Sequence, residues 1–345
     1  MKSKLICFIV GKTPVRSRGE AIPTPPLKSA PHYFEATVPK QFIIKQEKIN
    51  IRGHEGLQSL KLYPPDALLV EITLDLPDLL NLNDVQAIKE EAIEKCREVL
   101  KKKGDKDVDE FSEEYSIYNM YDYSGSPDQF FTEKNQEKIA SLLKSEKIQL
   151  DKSELDYTLA SKVKYAKDDL VIIDWDGAFF FDPKGTEVEA VIEFFELANY
   201  QLLRYRLLNS DLASRFSKVL KLIQEPNTKI ISRTNKEITQ SYKEIIRVRG
   251  KSMAEFESLE REIRLIGEWY MARLYEITAK KFRFDEWRRL IKEKLDSLED
   301  VYDIVSENFS VSRYHLLEII QLGAFFILQI GWFALIILEF IYFTR

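Results

Sequence analysis

Cysteine and histidine are scarce in this chain, at two and three residues of 345. Cys7 and Cys96 cannot supply a disulfide framework, and His32, His54 and His315 are too scattered to complete a zinc set with them. Cys7 falls in an apolar run and Cys96 on the inner face of a predicted helix. Both read as small buried hydrophobes of a reducing compartment. A metal site built only from carboxylates stays open but has no motif behind it, and no cofactor is expected. Nucleotide templates are missing too: Gly11-Lys12-Thr13 lacks the upstream glycine loop of a phosphate cradle, and no GxGxxG or GxSxG occurs. A positive charge excess is likewise lacking, because the net charge of −5 gives no global nucleic-acid footprint. Finally, the opening LICFIV is only six apolar residues, below the roughly 7–15 of a signal peptide, and reads as a first strand.

What is present is an apolar run from Ile319 to Leu338 whose only polar side chains are Gln321 and Gln329. Twenty helical residues rise about 30 Å, the thickness of bilayer hydrocarbon. A buried core helix is the plain alternative, but such helices keep a polar face and this one barely does. One membrane span is therefore expected, with the chain stopping shortly afterwards at Arg345. Arg283, Arg288, Arg289, Lys292, Lys294 and Arg313 precede it, which places residues 1–315 on the cytoplasmic side by the positive-inside rule. Along the span, Glu318, Gln321, Phe325, Gln329, Trp332, Ile336 and Glu339 recur every three or four residues, and Gly323 and Gly331 mark a neighbouring face. Gln321, Gly323, Gln329, Gly331 and Glu339 are thus the candidate interface of a homo-oligomer in the lipid bilayer. The alternative is a monomeric anchor whose Glu318 and Glu339 sit at the two headgroup levels.

The preceding chain reads as α+β: an N-terminal mixed sheet with helices at 1–185, a long-helix bundle or coiled coil at 186–315, and a transmembrane anchor at 316–345. Strands are expected at Leu5–Val10, Ala67–Leu76 and Tyr115–Tyr123, with a short one at Gln41–Ile44 after a proline-studded stretch. Helices are expected at about Asp84–Lys103, where Val85, Ile88, Ala92, Cys96 and Val99 share a face, and at Glu133–Ser145. Leu170–Trp175 and Ala178–Phe181 flank Asp176-Gly177, a sequence suited to a type I′ turn. Thr186 with Glu189 should cap a helix at Val188–Leu208, and Asn209-Ser210-Asp211 should cap another ending at Gln224. Thr228–Val248, broken at Gly250, and stripes from Phe256 to Ile277 and from Trp287 to Phe309 complete the helical half.

One motif resembles an active site. Asp174-Trp175-Asp176-Gly177 after an apolar strand is similar to the first motif of the haloacid-dehalogenase superfamily, where a strand ends in DxDG followed by Thr. That resemblance implies Asp174 as nucleophile and Asp176 as proton handler beside Mg²⁺. Here Ala178 stands in place of the Thr, and nothing strand-like follows Phe181, whereas that fold needs further parallel strands. An Asp-Gly hairpin explains the residues without chemistry. Tyr115, Tyr118, Tyr121 and Tyr123 could stack on bases but suit cross-strand packing better. The basic segment 229–251 leaves an RNA- or ribosome-binding role open.

The stretch Lys294–Phe340, where LDSLEDVYDIVSENFSVSRYHLLEIIQL leads into the span with Glu318 at its entrance, resembles the "required for meiotic nuclear division" family. The family pattern has Trp where Ile319 stands, and its later acid falls earlier than Glu339. The resemblance covers about a third of the chain and transfers no catalytic residue. It implies a membrane-anchored, oligomeric protein; eukaryotic members sit in an organelle membrane and are linked to organellar translation. The sequence reading is therefore a membrane-anchored scaffold or tether with a cytoplasmic α/β body, lipid and protein partners, and no evident catalysis. A membrane-bound Mg-dependent phosphohydrolase using Asp174 and Asp176, or an RNA-binding tether, is the alternative.

Overall fold

The computed structural model describes residues 2–14, 20–21, 41–64, 66–104, 106–130, 133–164, 166–183, 185, 188–224, helical pieces within 243–257, and 269–344. Most of the proline-studded stretch, the Thr186 cap, most of the 228–248 helix and the centre of the Phe256–Ile277 stripe lie outside these residues.

The chain opens with β1 (Lys2–Lys12), a short β2 (Glu20–Ala21), β3 (Phe42–Ile51), β4 (His54–Tyr63) and β5 (Ala67–Leu76). Helix α1 (Leu82–Lys103) leads to β6 (Ser112–Tyr121), followed by α2 (Glu133–Lys144), α3 (Lys152–Ala160), β7 (Lys162–Val163), β8 (Leu170–Ile173) and β9 (Gly177–Asp182). Three long helices follow: α4 (Val188–Gln224), α5 (Trp269–Lys281) and α6 (Phe284–Phe343). The strands form one mixed sheet in the order β2-β3-β4-β5-β1-β6-β9-β8-β7. Every pairing is antiparallel except β6 with β9. Strands β5 and β6 flank β1 and α1 joins them, a split βαβ unit.

Strand β1 is unbroken apolar from Leu5 to Val10 because both of its faces are covered. Its alternation separates two cores. Leu5, Cys7 and Ile9 join Val85, Ile88, Ala92, Cys96 and Leu100 of α1 and Ile139, Leu142 and Leu143 of α2 in one cluster. Phe8 points the other way, onto Tyr115, whose ring stacks on Phe195 of α4 at 5.1 Å and meets Phe282, just after α5, edge-on at 5.8 Å. The sheet thus lies between α1–α3 on one side and α4–α5 on the other, a mixed α+β fold.

Three local expectations are corrected. The single short strand expected at Gln41–Ile44 is instead a hairpin, with ten-residue strands Phe42–Ile51 and His54–Tyr63 on each side of Arg52-Gly53. Those two residues carry φ of 49° and 85°, the paired positive values of a type I′ turn, and Gly53 N donates to Asn50 Oδ1 at 3.0 Å. The positive-φ turn expected at Asp176-Gly177 is absent: the β8–β9 turn centres on Trp175-Asp176, closed by Asp174 N donating to Gly177 O at 2.8 Å, with no positive φ. Finally, α4 runs unbroken through Asn209-Ser210-Asp211, and Gly250 is itself helical. A few poor helix formers cost too little to stop a helix packed along its length.

The chain divides into two compact units, residues 1–210 with 255–291 and residues 211–254 with 292–345. The first holds the whole sheet with α1–α3, the first part of α4, and α5. In the second, Arg215 pairs with Asp211 and donates to the buried Ser252 Oγ at 2.7 Å, while Leu212 and Leu298 are fully buried.

Candidate functional site

Asp174 follows β8 directly and lies under the surface at 3% exposure rather than at an open hairpin tip. Its backbone is tied down by Tyr115, whose Oη donates to Asp174 O at 3.2 Å, and by Ser116 N donating to Asp176 O at 3.2 Å. Gly177 is required for that closeness: a Cβ there would stand 2.7 Å from Ser116 O. The carboxylate meets two ammonium groups. Lys281, the last residue of α5, donates to Oδ1 at 2.9 Å, and Lys144, the last residue of α2, lies 3.2 Å from Oδ2. Lys144 also reaches Glu154 of α3 at 2.5 Å. The Tyr157 ring lies under both lysines, at 4.2 Å from Lys281 Nζ and 5.7 Å from Lys144 Nζ.

Two carboxylates and two ammonium groups balance, so the cluster is neutral overall. Burial opposes the charge on Lys144, but Glu154 and Asp174 outweigh it and hold its pKa above the usual lysine value. Asp176 titrates higher than an ordinary aspartate, first because it is buried and then because Asp174 repels its charge, with Lys89 opposing. Trp175 between them is 43% exposed, its ring edge against Phe282 at 5.8 Å. Both oxygens of the would-be nucleophile Asp174 thus face ammonium groups. Strand β8 is antiparallel to both of its neighbours, whereas the dehalogenase-type motif ends a strand of a parallel sheet. Among the described residues no three His, Cys, Asp or Glu side chains are grouped to hold a metal ion.

The arrangement pins the ends of α2 and α5, from opposite sides of the sheet, to one turn. Lys144, Glu154, Tyr157 and Lys281 carry no local spacing signal, because Lys281 lies 107 residues from the aspartate it binds.

The other predicted site residues lie on α6. Leu317–Phe343 is a 27-residue stretch long and apolar enough to cross a membrane, and none of its residues is buried. At 3.6 residues per turn, Glu318, Gln321, Phe325, Gln329, Trp332, Ile336 and Glu339 fall within an arc of about 80°. Gly331 and Gly323 lie about 120° and 160° from the centre of that arc, so glutamines and glycines occupy different sides of the helix. Around both glycines the space is open. Of the basic segment 229–251, only residues 243, 246, 247, 250 and 251 are described.

Residues 11–187, which hold the sheet from the end of β1 onward, match the family model described as "Uncharacterized protein MJ0711, N-terminal domain". The chain is also similar to "Uncharacterized protein MJ0711" of Methanocaldococcus jannaschii, 30% identical over 283 residues, which cover 82% of this chain and 80% of the relative. The chain belongs to the MJ0711 family. No solved structure matches. The MJ0711 N-terminal domain ends one residue before α4, so it contains Asp174, Asp176 and Lys144 but not Lys281.

Proposed function

We propose that this MJ0711-family protein is a membrane-attached scaffold or tether, its α/β body on the cytoplasmic side and its Leu317–Phe343 helix in the bilayer. The observation that carries the reading is the exposure of that helix. Ile327 and Leu328 are 72% and 73% exposed and every neighbour is open as well, so the buried-core alternative loses its support. A contiguous apolar surface of this size requires a cover, and lipid tails match its length. Arg283, Arg288, Arg289, Lys292 and Lys294 precede the helix and favour a cytoplasmic body. The glutamine stripe supports self-association of the span. Against catalysis stands the Asp174 cluster, whose charges are spent on one another.

The test is fractionation of cells producing the full chain. It should pellet with membranes, resist alkaline carbonate, and be digested by protease from the cytoplasmic face. A variant lacking residues 317–343 should move to the soluble fraction. Full-length protein that stays soluble would overturn the proposal.

A further inference from the structure

A second charged cluster lies inside the first unit, between α4 and the β4–β5 part of the sheet. Lys61 of β4 donates to Glu71 Oε2 of β5 at 2.8 Å and to Glu196 Oε1 of α4 at 2.7 Å. Tyr63 Oη donates to Glu196 Oε2 at 2.7 Å, and Thr73 Oγ1 donates to Glu71 Oε1 at 3.2 Å. Glu196 is 0% exposed, and Glu71 and Tyr63 are buried with it. Among the described residues, the surroundings offer little else of opposite charge. On α4, one turn earlier, Glu193 takes a hydrogen bond from Gln41; one turn later, Tyr200 packs its ring on Tyr63 at 5.4 Å. Ser59 faces in from β4, and β1 presents apolar Phe8 opposite Glu71. Arg204, the next cation along α4, is engaged with Asp66.

Two carboxyl groups therefore share one ammonium. With both ionised, the pocket holds a net negative charge away from water, which is costly. With one proton retained it is neutral, and the Glu196–Tyr63 contact survives because a tyrosine hydroxyl both donates and accepts. We propose that Lys61, Tyr63, Glu71 and Glu196 form a proton-operated lock that fastens α4 to the sheet while the carboxyl pair keeps one proton and loosens when that proton leaves.

The titration of each group fits this geometry. Burial pushes Glu196 up to about 8, Glu71 adds to the rise and Lys61 opposes it. Burial also acts on Glu71, yet Lys61 outweighs it and holds that carboxylate below its usual value. Burial works against the charge of Lys61, but Glu196 and Glu71 keep its pKa raised. Tyr63 is held far above its ordinary range by burial and by Glu196, and burial raises Glu193. The sign follows from linkage. Glu196 has a folded pKa above its unfolded one, so the stability it lends is full in acid and declines as pH rises toward about 8. Glu71 acts oppositely, its contribution fading only in acid. Glu113, raised to about 7 by burial against Arg206, tilts the whole unit the same way as Glu196. The informative quantity is therefore the difference between wild type and Glu196→Gln.

The experiment is hydrogen exchange on the full chain in detergent at about pH 6 and about pH 9, corrected for intrinsic rates. Protection of the first half of α4 should fall at least about tenfold further in wild type than in Glu196→Gln. Equal losses in the two proteins, or no loss in wild type, would overturn the lock. Should the variant not fold, the infrared spectrum of Glu113→Gln decides, because that variant removes the other buried carboxyl raised to about 7. The infrared band of a protonated carboxyl group should be present near pH 6 and disappear with a midpoint near 8. Its absence near pH 6 would refute the proposal.

Discussion

Asp174 can be buried only because two ammonium groups replace the water it gives up. Lys281 is nearly as enclosed as its partner, with 8% side-chain exposure, so the pair stands or falls together. Removing one member leaves an unpaired buried charge, which typically costs about 3–5 kcal/mol. Asp174→Ala should therefore lose stability of that order in urea denaturation of the full chain in detergent. The double variant Asp174→Leu with Lys281→Met should recover most of the loss, because no charge is left stranded. A single variant as stable as wild type would refute the clamp. From sequence, the paired aspartates and their spacing were plain, and so was the missing Thr at Ala178. Their partners were not, since three helices deliver them from distant parts of the chain.

At the scale of elements, the contrast between two glycines is instructive. Gly53 serves a turn that needs positive φ; Gly177 serves a close approach, and its own backbone is extended within β9. The Asp-Gly pair suggested the first role where the second applies. Gly177→Ala should accordingly cost about 1–3 kcal/mol, as overpacking does, because Ser116 O is fixed in the sheet and cannot yield like a flexible side chain. Thermal unfolding would measure it, and an unchanged midpoint would mean the strands separate freely there. Elements with a strong period were legible: the Val85–Cys96 stripe gave α1, and the apolar block gave β5 to the residue. Strand β3 is legible only at its start, Gln41–Ile44, because Lys45, Gln46, Glu47 and Lys48 are all polar and exposed, and β4 has no clean alternation either. Polar residues on both faces erase the alternation on which strand recognition rests. Helix α3 escaped because it is short and buries almost nothing, resting on its Asp151 cap.

For the whole molecule, the order of strands first and long helices afterwards was enough to give the α+β class, and the terminal apolar run was unmistakable. The sequence resemblance to the meiotic nuclear division family rested on Lys294–Phe340. The MJ0711-family match at residues 11–187 covers instead most of the sheet, whose buried positions alternate between two cores. An apolar helix constrains its sequence far less, since many residues satisfy lipid. What lipid does not satisfy is an amide. Gln321 and Gln329 share the arc with Glu318 and Glu339, so a second copy of the helix, turned to present the same arc, would give each amide a partner. Gly323 and Gly331 belong to another side and should not matter for that contact. Each amide contact is worth only about 0.6–2 kcal/mol, enough to shift an association equilibrium about threefold to thirtyfold. Gln329→Leu should therefore weaken self-association of the full chain in detergent by a factor in that range, read as a shift toward monomer in sedimentation velocity. Gly331→Leu should leave the distribution as it is. If the glycine variant dissociates the assembly and the glutamine variant does not, the copies meet through the opposite side of the helix.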